Sequence, residues 1–306
     1  MSNHKTLIID GNHLFVRAFE INEKKLMSGD SDATEYGAVY ILLTSIRRRL
    51  LQFKSENVYI TWDRPVFRGK HYRYELSNGL YKANRKPKSD KFYNLLDKCI
   101  ELVRLLGIKT ILPYKLEADD VIAFLSLISP KPCVIISGDN DLLQLLQIDG
   151  VCMYNIIKEK MVTKDNILDY YPVNPYKVVL YKAIIGDKGD NIEGIGGHGP
   201  VKAMRLCEDV NLISELPQEK QLKIELNKKL VSFGYSLKCE QHKNTEIPFI
   251  QKQLKDQESV KADFNEFFNK CTNYKFFNIL KHRDGWMDLQ RQDILRETIL
   301  QALVEE

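Results

Sequence analysis

A short apolar run that ends in two aspartates constrains the fold more than any other stretch of this chain. The run Val134–Ile136 leads into Ser137 and Gly138, and Asp139 and Asp141 follow. A strand that is apolar at every position, without alternation, is typical of a parallel sheet covered on both faces. Ligands of open α/β sheets bind outside the carboxyl ends of such strands. Aspartate is also common in turns and at helix N-caps, so this stretch alone favours a structural role for both aspartates.

The same arrangement recurs along the chain. Asp10 follows the apolar run Thr6–Ile9, and Asp63 follows the run Val58–Trp62. Further carboxylates lie at the start of an apolar helix or in a later loop. Each of these residues could instead have a purely structural role, because acidic residues cap helices and are favoured in a first helical turn. In sequence order, the acidic residues placed in this way are Asp10, Asp63, Glu117, Asp119, Asp120, Asp139, Asp141, Asp187 and Asp190.

Apolar strands that alternate with helical patterns define the expected fold class. Few hairpin signals separate the strands, so the sequence predicts an α/β fold with a mostly parallel central sheet flanked by helices. We expect an α/β core over residues 1–170 and a mainly helical part over residues 171–306. The acidic residues at the strand ends are then expected to meet at one edge of the sheet.

The composition excludes several classes of protein. The chain has 306 residues, of which 44% are hydrophobic and 28% charged, the balance of a globular protein. Its apolar runs are too short for a membrane span or a secretory signal, so we expect a cytoplasmic protein without membrane contact. The six cysteines and six histidines are scattered, and no C-x-x-C pair occurs, which argues against disulfides and against a structural zinc site.

Positive charge is concentrated in one segment. Nine Lys or Arg residues lie between Arg64 and Lys91 against two acidic residues, an excess of seven that is larger than the net charge of +4 of the whole chain. A basic segment in a chain that also gathers carboxylates indicates a polyanionic substrate. The alternative is a solvated basic surface without a binding role.

Carboxylates gathered in one pocket require positive counter-charge. Two unit charges about 4 Å apart repel by about 4 kcal/mol at an effective dielectric constant near 20. Without counter-ions several carboxylates would have to stay protonated at neutral pH. Mg²⁺ prefers oxygen ligands and phosphates, and two such ions can clamp the attacking and leaving oxygens of a phosphodiester. The acidic residues alone therefore predict metal-assisted phosphodiester hydrolysis.

A glycine-rich stretch, residues 194–199, precedes the helix that begins near Pro200. Such a stretch allows backbone N–H groups to approach phosphates closely, although a glycine-rich loop at a helix start is not specific on its own.

Five motifs in order resemble the structure-specific 5′ nucleases. This family includes the phage flap endonucleases, the phage enzyme called RNase H and the 5′-nuclease domain of bacterial DNA polymerase I. The resemblance covers roughly residues 6–235, a domain-sized span. The motifs are Ile9-Asp10-Gly11, Trp62-Asp63, Glu117-Ala118-Asp119-Asp120, Ser137-Gly138-Asp139-Asn140-Asp141 and Gly186-Asp187-Lys188-Gly189-Asp190-Asn191.

The resemblance implies a 5′ nuclease (PIN-like) fold that holds two Mg²⁺ ions, with Mn²⁺ as a substitute, and Asp139 touches both ions. The ligands implied for the first ion are Asp10, Asp63, Glu117, Asp119, Asp120 and Asp139. Those implied for the second ion are Asp139, Asp141, Asp187 and Asp190.

It also implies a basic helical arch over residues 64–95. In this arch Lys82 and Arg85 act on the scissile phosphate and Tyr81 stacks on a base. On a helix, Lys82 and Arg85 would project from one face. Arg17 corresponds to a family arginine near the substrate.

Residues 186–206 resemble a helix–hairpin–helix element that holds duplex phosphates, often around a K⁺ ion. The residues implied to contact DNA there are Gly194, Gly197, Gly199 and Lys202. The stretch departs from the family pattern at Gly196 and at His198, where an aliphatic residue is usual, and these departures weaken the expectation of K⁺.

The expected function is that of a Mg²⁺-dependent 5′ nuclease that cuts flaps or removes RNA primers. Its expected DNA partners are a 5′ flap, a nick or an RNA–DNA primer junction. Its expected protein partners are a single-strand-binding protein, a sliding clamp or a polymerase, with residues 240–306 as the candidate contact. A monomeric, stand-alone enzyme of the phage type is expected.

Two alternatives stay open. A PIN-like endoribonuclease shares the acidic strand ends but lacks the long basic arch and the glycine-rich element. A non-catalytic DNA-binding protein on the same fold should have lost acidic residues, and every expected one is present.

Overall fold

A six-stranded sheet forms the centre of the protein. A computed structural model describes residues 4–31, 33–63 and 72–289. The strands are β1 (Thr6–Asp10), β2 (Asn57–Thr61), β3 (Lys109–Ile111), β4 (Cys133–Ser137), β5 (Val151–Asn155) and β6 (Lys160–Val162). Their order in the sheet is β3-β2-β1-β4-β5-β6, and only β6 pairs antiparallel to its neighbour among these strands. The predicted α/β fold with a mostly parallel sheet is confirmed.

Helices cover both faces of this sheet. The longer ones are α1 (Gly11–Met27), α2 (Gly37–Phe53), α4 (Asp90–Leu105), α5 (Ala118–Ile128), α6 (Val178–Ile185), α7 (Pro200–Glu208), α8 (Gln218–Val231), α11 (Glu246–Asp256) and α12 (Phe264–Asn273). The shorter ones are α3 (Tyr72–Leu76), α9 (Phe233–Lys238), α10 (Glu240–Asn244) and α13 (Phe277–Lys281), and 3-10 helices span Asn140–Gln147, Ile167–Asp169, Pro175–Lys177 and Val210–Ile213. Among the residues described, none of these helices is both long and apolar enough to cross a bilayer.

The alternation of side chains along the central strands explains why helices are needed on both faces. Leu7 and Ile9 of β1 belong to one hydrophobic cluster, which includes residues of α1, α2 and α4. Ile8 belongs to a second cluster, which includes residues of α5, α6 and α9. All three side chains are completely buried. The second cluster joins the sheet to the helices after residue 170, so the two parts of the chain share a core.

The basic segment differs from the helical arch that we expected. Residues 64–71 of that arch lie outside the described residues. Over residues 77–89 the chain forms turns and irregular backbone, so the prediction that Lys82 and Arg85 lie on a helix is wrong. Asn78, Gly79 and Lys82 have positive φ angles of 51°, 83° and 55°, a left-handed conformation that ends a right-handed helix.

Helix α11 covers the edge of the sheet at β3. Gln257 accepts a hydrogen bond from the Thr110 amide at 2.7 Å and donates one to the Thr110 carbonyl at 2.9 Å. Gln253 makes the same pair of bonds with Leu112, at 3.0 and 2.9 Å. These side chains therefore take the place of a further strand and protect an edge that would otherwise be open.

Replacing Gln257 by alanine is expected to destabilise the protein by about 1–2 kcal/mol, because it leaves the buried amide and carbonyl of Thr110 without partners. Gln251→Ala is the matched control, since Gln251 is exposed on α11, of which Gln257 is the C-cap. The free energy of unfolding is measured by urea denaturation. An equal effect of the two substitutions would show that Gln257 does not support the edge strand.

Candidate metal centre and nucleic-acid interface

The first group of carboxylates lies where β1, β2 and β4 end. Asp10 is the N-cap of α1 and accepts hydrogen bonds from the His13 amide at 2.9 Å and the Ser137 hydroxyl at 2.7 Å. Asp63 accepts from the Ala118 amide at 2.6 Å and the Asn12 side-chain amide at 2.6 Å. Both oxygens of each carboxylate are thus oriented by neighbouring elements.

The pKa values of these carboxyls show that the acidic residues act on one another. Burial raises the pKa of Asp10 to about 6. Burial and, after it, the charge of Glu117 raise the pKa of Asp63. The pKa of Asp119 is raised well above its usual range by burial and then by Asp10, Asp139 and Asp63. Asp10, Asp63, Asp119 and Asp139 therefore form one electrostatic group that favours a bound cation.

A second group combines Asp141, Asp187 and Asp190. One carboxylate oxygen from each lies within 4.8 Å of the other two, the spacing of a possible metal site. Burial and, after it, the nearby Asp139 raise the pKa of Asp141 to about 7. Asp139 links the groups in sequence and in space, because its carboxylate also accepts a hydrogen bond from the Asp141 amide at 2.8 Å.

Lys182 of α6 is the basic partner of this second group. Its ammonium contacts the carboxylates of Asp141 and Asp187, the latter at 2.5 Å. Burial opposes ionisation of Asp187, but the charge of Lys182 and its hydrogen bond outweigh that effect and lower the pKa of Asp187. The sequence analysis missed Lys182, and the only signal was a lysine five residues before Asp187 within an apolar helix.

Asp120 does not join either group. Its two oxygens accept hydrogen bonds from the Arg73 guanidinium, both at 2.7 Å, and one also accepts from the Glu117 amide at 3.1 Å. Asp120 and Arg73 are buried, at 0% and 1% exposure. This pairing contradicts the metal-ligand role expected for Asp120, because both oxygens are already bound by a buried cation. Asp120 instead fixes the start of α5, where Glu117 is the N-cap.

Glu117 lies between the acidic groups and the basic turn formed by residues 80–85. One oxygen of Glu117 contacts the Lys82 ammonium at 2.5 Å, and the other accepts from the Tyr81 hydroxyl at 2.9 Å. The Arg85 guanidinium contacts Asp190 at 2.5 Å. The basic pair thus lies against carboxylates of both regions. Burial opposes the positive charge of Lys82, but the negative charges of Glu117 and Asp190 outweigh this effect and raise the pKa of Lys82 above its usual range.

The ring of Tyr81 is not placed for base stacking. It is 7% exposed and packs with Ile192, Leu230 and Val231, while its hydroxyl lies 2.9 Å from carboxylate oxygens of both Glu117 and Asp190. The stacking role expected for Tyr81 is contradicted, because the ring is buried among apolar side chains. Arg17 is exposed on α1, two helical turns beyond Asp10.

The glycine-rich stretch connects a short hairpin to α7. The hairpin pairs β7 (Gly186–Asp187) with β8 (Ile192–Glu193). A Cβ at Gly194 would lie 2.4 Å from the Ile185 carbonyl, so this glycine is required by packing against the end of α6. A Cβ at Gly199 would meet no atom within 4 Å, and Gly197 has a φ of +79°. Lys202 donates to the Gly197 carbonyl at 3.0 Å. Gly197, Gly199 and Lys202 are thus exposed around the start of α7, whereas Gly194 is half-buried.

The donor set fits hard divalent cations. All the side chains concerned offer carboxylate oxygens, and several have raised pKa values that a bound cation would reverse. Among the described residues, Asp141, Asp187 and Asp190 are the group whose ligand atoms already lie within ligand spacing of one another. Asn12, Ser137 and Arg73, which the sequence analysis missed, orient the acidic residues without being ligands themselves.

Comparisons with known proteins agree with this geometry. Residues 5–172 match the family described as 5′-3′ exonuclease, N-terminal resolvase-like domain. The chain is 32% identical over 237 residues to DNA polymerase I of Caldicellulosiruptor bescii, covering 74% of this chain but only 27% of that relative. It is 27% identical over 295 residues to a 5′-3′ exonuclease of Mycoplasmopsis pulmonis, covering 91% of this chain and 93% of the relative. The bacteriophage T5 D15 flap endonuclease, solved as a pseudo-enzyme-product complex with DNA and metal ions, shares the fold with a TM-score of 0.65 at 20% identity, over 83% of this chain and 98% of that one.

Replacing Asp10 by asparagine is expected to stabilise the protein at pH 7.5 in EDTA. Folded Asp10, with a pKa of about 6 against 3.8 for the unfolded chain, holds its proton more tightly. Its contribution to stability is therefore present below about pH 4 and is lost as the pH rises through 6. The free energy of unfolding of Asp10→Asn should exceed that of the unmodified protein by on the order of 1–3 kcal/mol above pH 7 and should equal it at pH 4.

The free energy of unfolding is measured by urea denaturation at both pH values. Asp97→Asn is the control, because Asp97 is exposed on α4 and should show no such difference. A less stable Asp10→Asn protein at pH 7.5 would contradict the account of a crowded acidic group.

Proposed function

Because the chain belongs to the 5′-3′ exonuclease family, we propose that it is a Mg²⁺-dependent, structure-specific 5′ nuclease. It would hydrolyse phosphodiesters of branched DNA and leave 5′-phosphate and 3′-hydroxyl ends. The observation that carries this proposal is the contact of Lys82 with Glu117 and of Arg85 with Asp190, one carboxylate proposed for each ion. A phosphate bound near this contact would meet carboxylates for metal ions and two fixed positive charges.

In this proposal the acidic residues bind two metal ions. The first ion is assigned to Asp10, Asp63, Glu117, Asp119 and Asp139, and the second ion to Asp139, Asp141, Asp187 and Asp190. Bound divalent ions supply a more acidic water and a positive charge beside the leaving oxygen. Asp120 is left out of the ligand set because Arg73 binds both of its oxygens.

Basic side chains and the glycine-rich loop are proposed to bind the substrate and to orient the carboxylates. Lys82 and Arg85 balance the charge that develops on the non-bridging oxygens of the phosphate. Lys182 holds Asp141 and Asp187 in place and limits the repulsion between them. The loop at residues 194–199, with Lys202, is proposed to hold the backbone of the duplex arm.

The substrate class follows from the family and from the charge distribution. We propose 5′ flaps, nicks and RNA–DNA primer junctions, and the DNA bound by the T5 flap endonuclease supports this choice. The similarity to DNA polymerase I supports a role in replication, with a polymerase, clamp or single-strand-binding protein as partner. The contacts of α11 with β3 give part of the segment after residue 240 a structural role as well.

The two alternatives are weaker. A non-catalytic DNA-binding protein would not need the raised carboxyl pKa values of Asp10 and Asp141, which disfavour folding at neutral pH without cations. A PIN-like endoribonuclease would not require the loop at residues 194–199. A panel of 5′-labelled flap, nicked, blunt, RNA–DNA and single-stranded RNA substrates, with and without Mg²⁺, separates all three.

In this panel, Asp139→Asn is expected to abolish Mg²⁺-dependent cleavage of the flap while it leaves thermal stability in EDTA unchanged or higher. The reason is that Asp139 borders both carboxylate groups. Asp149→Asn, at a highly exposed aspartate, is the control. Cleavage by Asp139→Asn at the rate of the unmodified protein would rule out the two-ion assignment.

Replacing Lys82 by alanine is expected to lower the single-turnover rate at saturating enzyme by roughly 10²–10³, the effect of removing a charge aimed at the transition state. The dissociation constant of the flap, measured with Ca²⁺ in place of Mg²⁺, should change far less. Lys86→Ala is the control, because Lys86 is exposed on the same segment. If Lys82→Ala reaches the full rate once enzyme is saturating, Lys82 only tethers DNA.

A further inference from the structure

The loop at residues 194–199 carries two carbonyl groups that already have cationic partners. The Lys220 ammonium, from α8, donates to the Gly196 carbonyl at 2.8 Å. The Lys202 ammonium, from α7, donates to the Gly197 carbonyl at 3.0 Å. Nδ1 of His198 lies 3.1 Å from the same Gly196 carbonyl. Three side chains from three positions thus converge on two adjacent carbonyl oxygens.

These contacts do not fit the K⁺ ion that the family resemblance implied. Potassium is held by several backbone carbonyls that replace its hydration shell. Here the carbonyls of Gly196 and Gly197 are bound by ammonium groups. A K⁺ ion that shared these oxygens would lie within a few ångströms of two unit positive charges and would be repelled by both. The residues present therefore favour lysine over potassium at this loop.

We propose that Lys202 and Lys220 replace the potassium ion and form a built-in cationic site for the phosphodiester backbone of a DNA duplex. Each ammonium has three donors, so one can bind a carbonyl while the others face a phosphate. Duplex binding is then independent of the type of monovalent cation. This inference rests on the proposed function, since it deepens the role of the same loop.

The surroundings of the two lysines support a phosphate-binding surface. A Cβ at Gly196 or at Gly199 would meet no atom within 4 Å, so the outer side of the loop is open to a ligand backbone. Lys202 is exposed and Lys220 is partly exposed, and neither forms an ion pair within 4 Å among the described residues. Lys223, one turn further along α8, is instead paired with Glu193 at 2.5 Å.

The test is the affinity for a 5′-flap DNA with a long duplex arm, measured by fluorescence anisotropy with Ca²⁺ in place of Mg²⁺. Chloride salts of K⁺, Na⁺ and tetramethylammonium are compared at equal ionic strength. The dissociation constant of the unmodified protein is expected to agree within about twofold among the three salts, because tetramethylammonium is too large for carbonyl coordination. A several-fold tighter complex in KCl than in both other salts would overturn the inference.

Lys220→Ala is expected to raise the dissociation constant about three- to tenfold in every salt. It should also reduce the slope of log affinity against log salt by about one, the effect of one lost phosphate contact. Lys228→Ala is the matched control, because Lys228 lies on the same helix and pairs with Glu225. Equal effects of the two substitutions would show that Lys220 contributes only general positive charge.

Cleavage of the same flap in Mg²⁺, measured in the three salts, separates the inference from the proposed function. If the flap is cleaved but is bound several-fold more tightly in KCl than in the other two salts, the inference is wrong and the nuclease assignment still holds. An absence of cleavage in all three salts would remove the nuclease assignment and, with it, the inference.

Discussion

Electrostatic repulsion at the carboxyl end of the sheet is the constraint on which the rest of the site depends. Parallel strands that end side by side bring Asp10, Asp63 and Asp139 to one edge, and α5 adds Glu117 and Asp119. Burial is the main cause of the raised pKa values of Asp10, Asp63 and Asp119, and the charges of neighbouring carboxylates add to this cost. The protein limits this cost with buried or half-buried basic residues that each contact two acids, as Arg73 does with Glu117 and Asp120.

The capping role of the acidic residues is compatible with their proposed role as metal ligands. Asp10, Glu117 and Asp139 are the N-caps of α1, α5 and the 3-10 helix Asn140–Gln147. An N-cap residue has a fixed backbone conformation and a side chain held by the first helical amides. Capping therefore orients the very carboxylates that are proposed to bind metal, and the positive end of the helix dipole lies beside them. A sequence pattern that is typical of a cap does not exclude a ligand.

The parts of the molecule that follow from short-range patterns could be predicted from the sequence. The parallel strands β1 to β5, most helices and the acidic strand ends belong to this class, because burial on both faces leaves an uninterrupted apolar run such as Cys133–Ser137. Long-range pairs could not be predicted. Arg73 and Asp120 are 47 residues apart, and nothing periodic relates them. The glutamine pairs of α11 with β3 are equally invisible, since side chains that substitute for a strand leave no strand pattern.

The helical arch expected over residues 64–95 shows where the family resemblance was misleading for the turn at residues 81–85. The arch implied by the family resemblance would place Lys82 and Arg85 on one helical face, but Lys82 adopts a left-handed conformation and its amide donates to the Asp190 carbonyl at 2.8 Å. The side chain of Asn84 donates to the Lys188 carbonyl at 2.8 Å. In return, the Asn191 side chain donates to the Leu80 carbonyl at 2.7 Å. Contacts with a loop a hundred residues away thus determine the conformation of this turn.

These contacts connect the two functions that are proposed for the site. The loop of residues 187–191 carries Asp187 and Asp190, and it is continuous with β8 and the stretch that is proposed to hold the duplex. The same loop binds the turn that carries Lys82 and Arg85. The stretch proposed to bind the duplex, the carboxylates and the cations proposed to bind phosphate therefore belong to one hydrogen-bonded unit. A nuclease that cuts at a junction requires a fixed distance between the bound duplex and the reacting phosphate. The binding geometry then selects the bond that is hydrolysed.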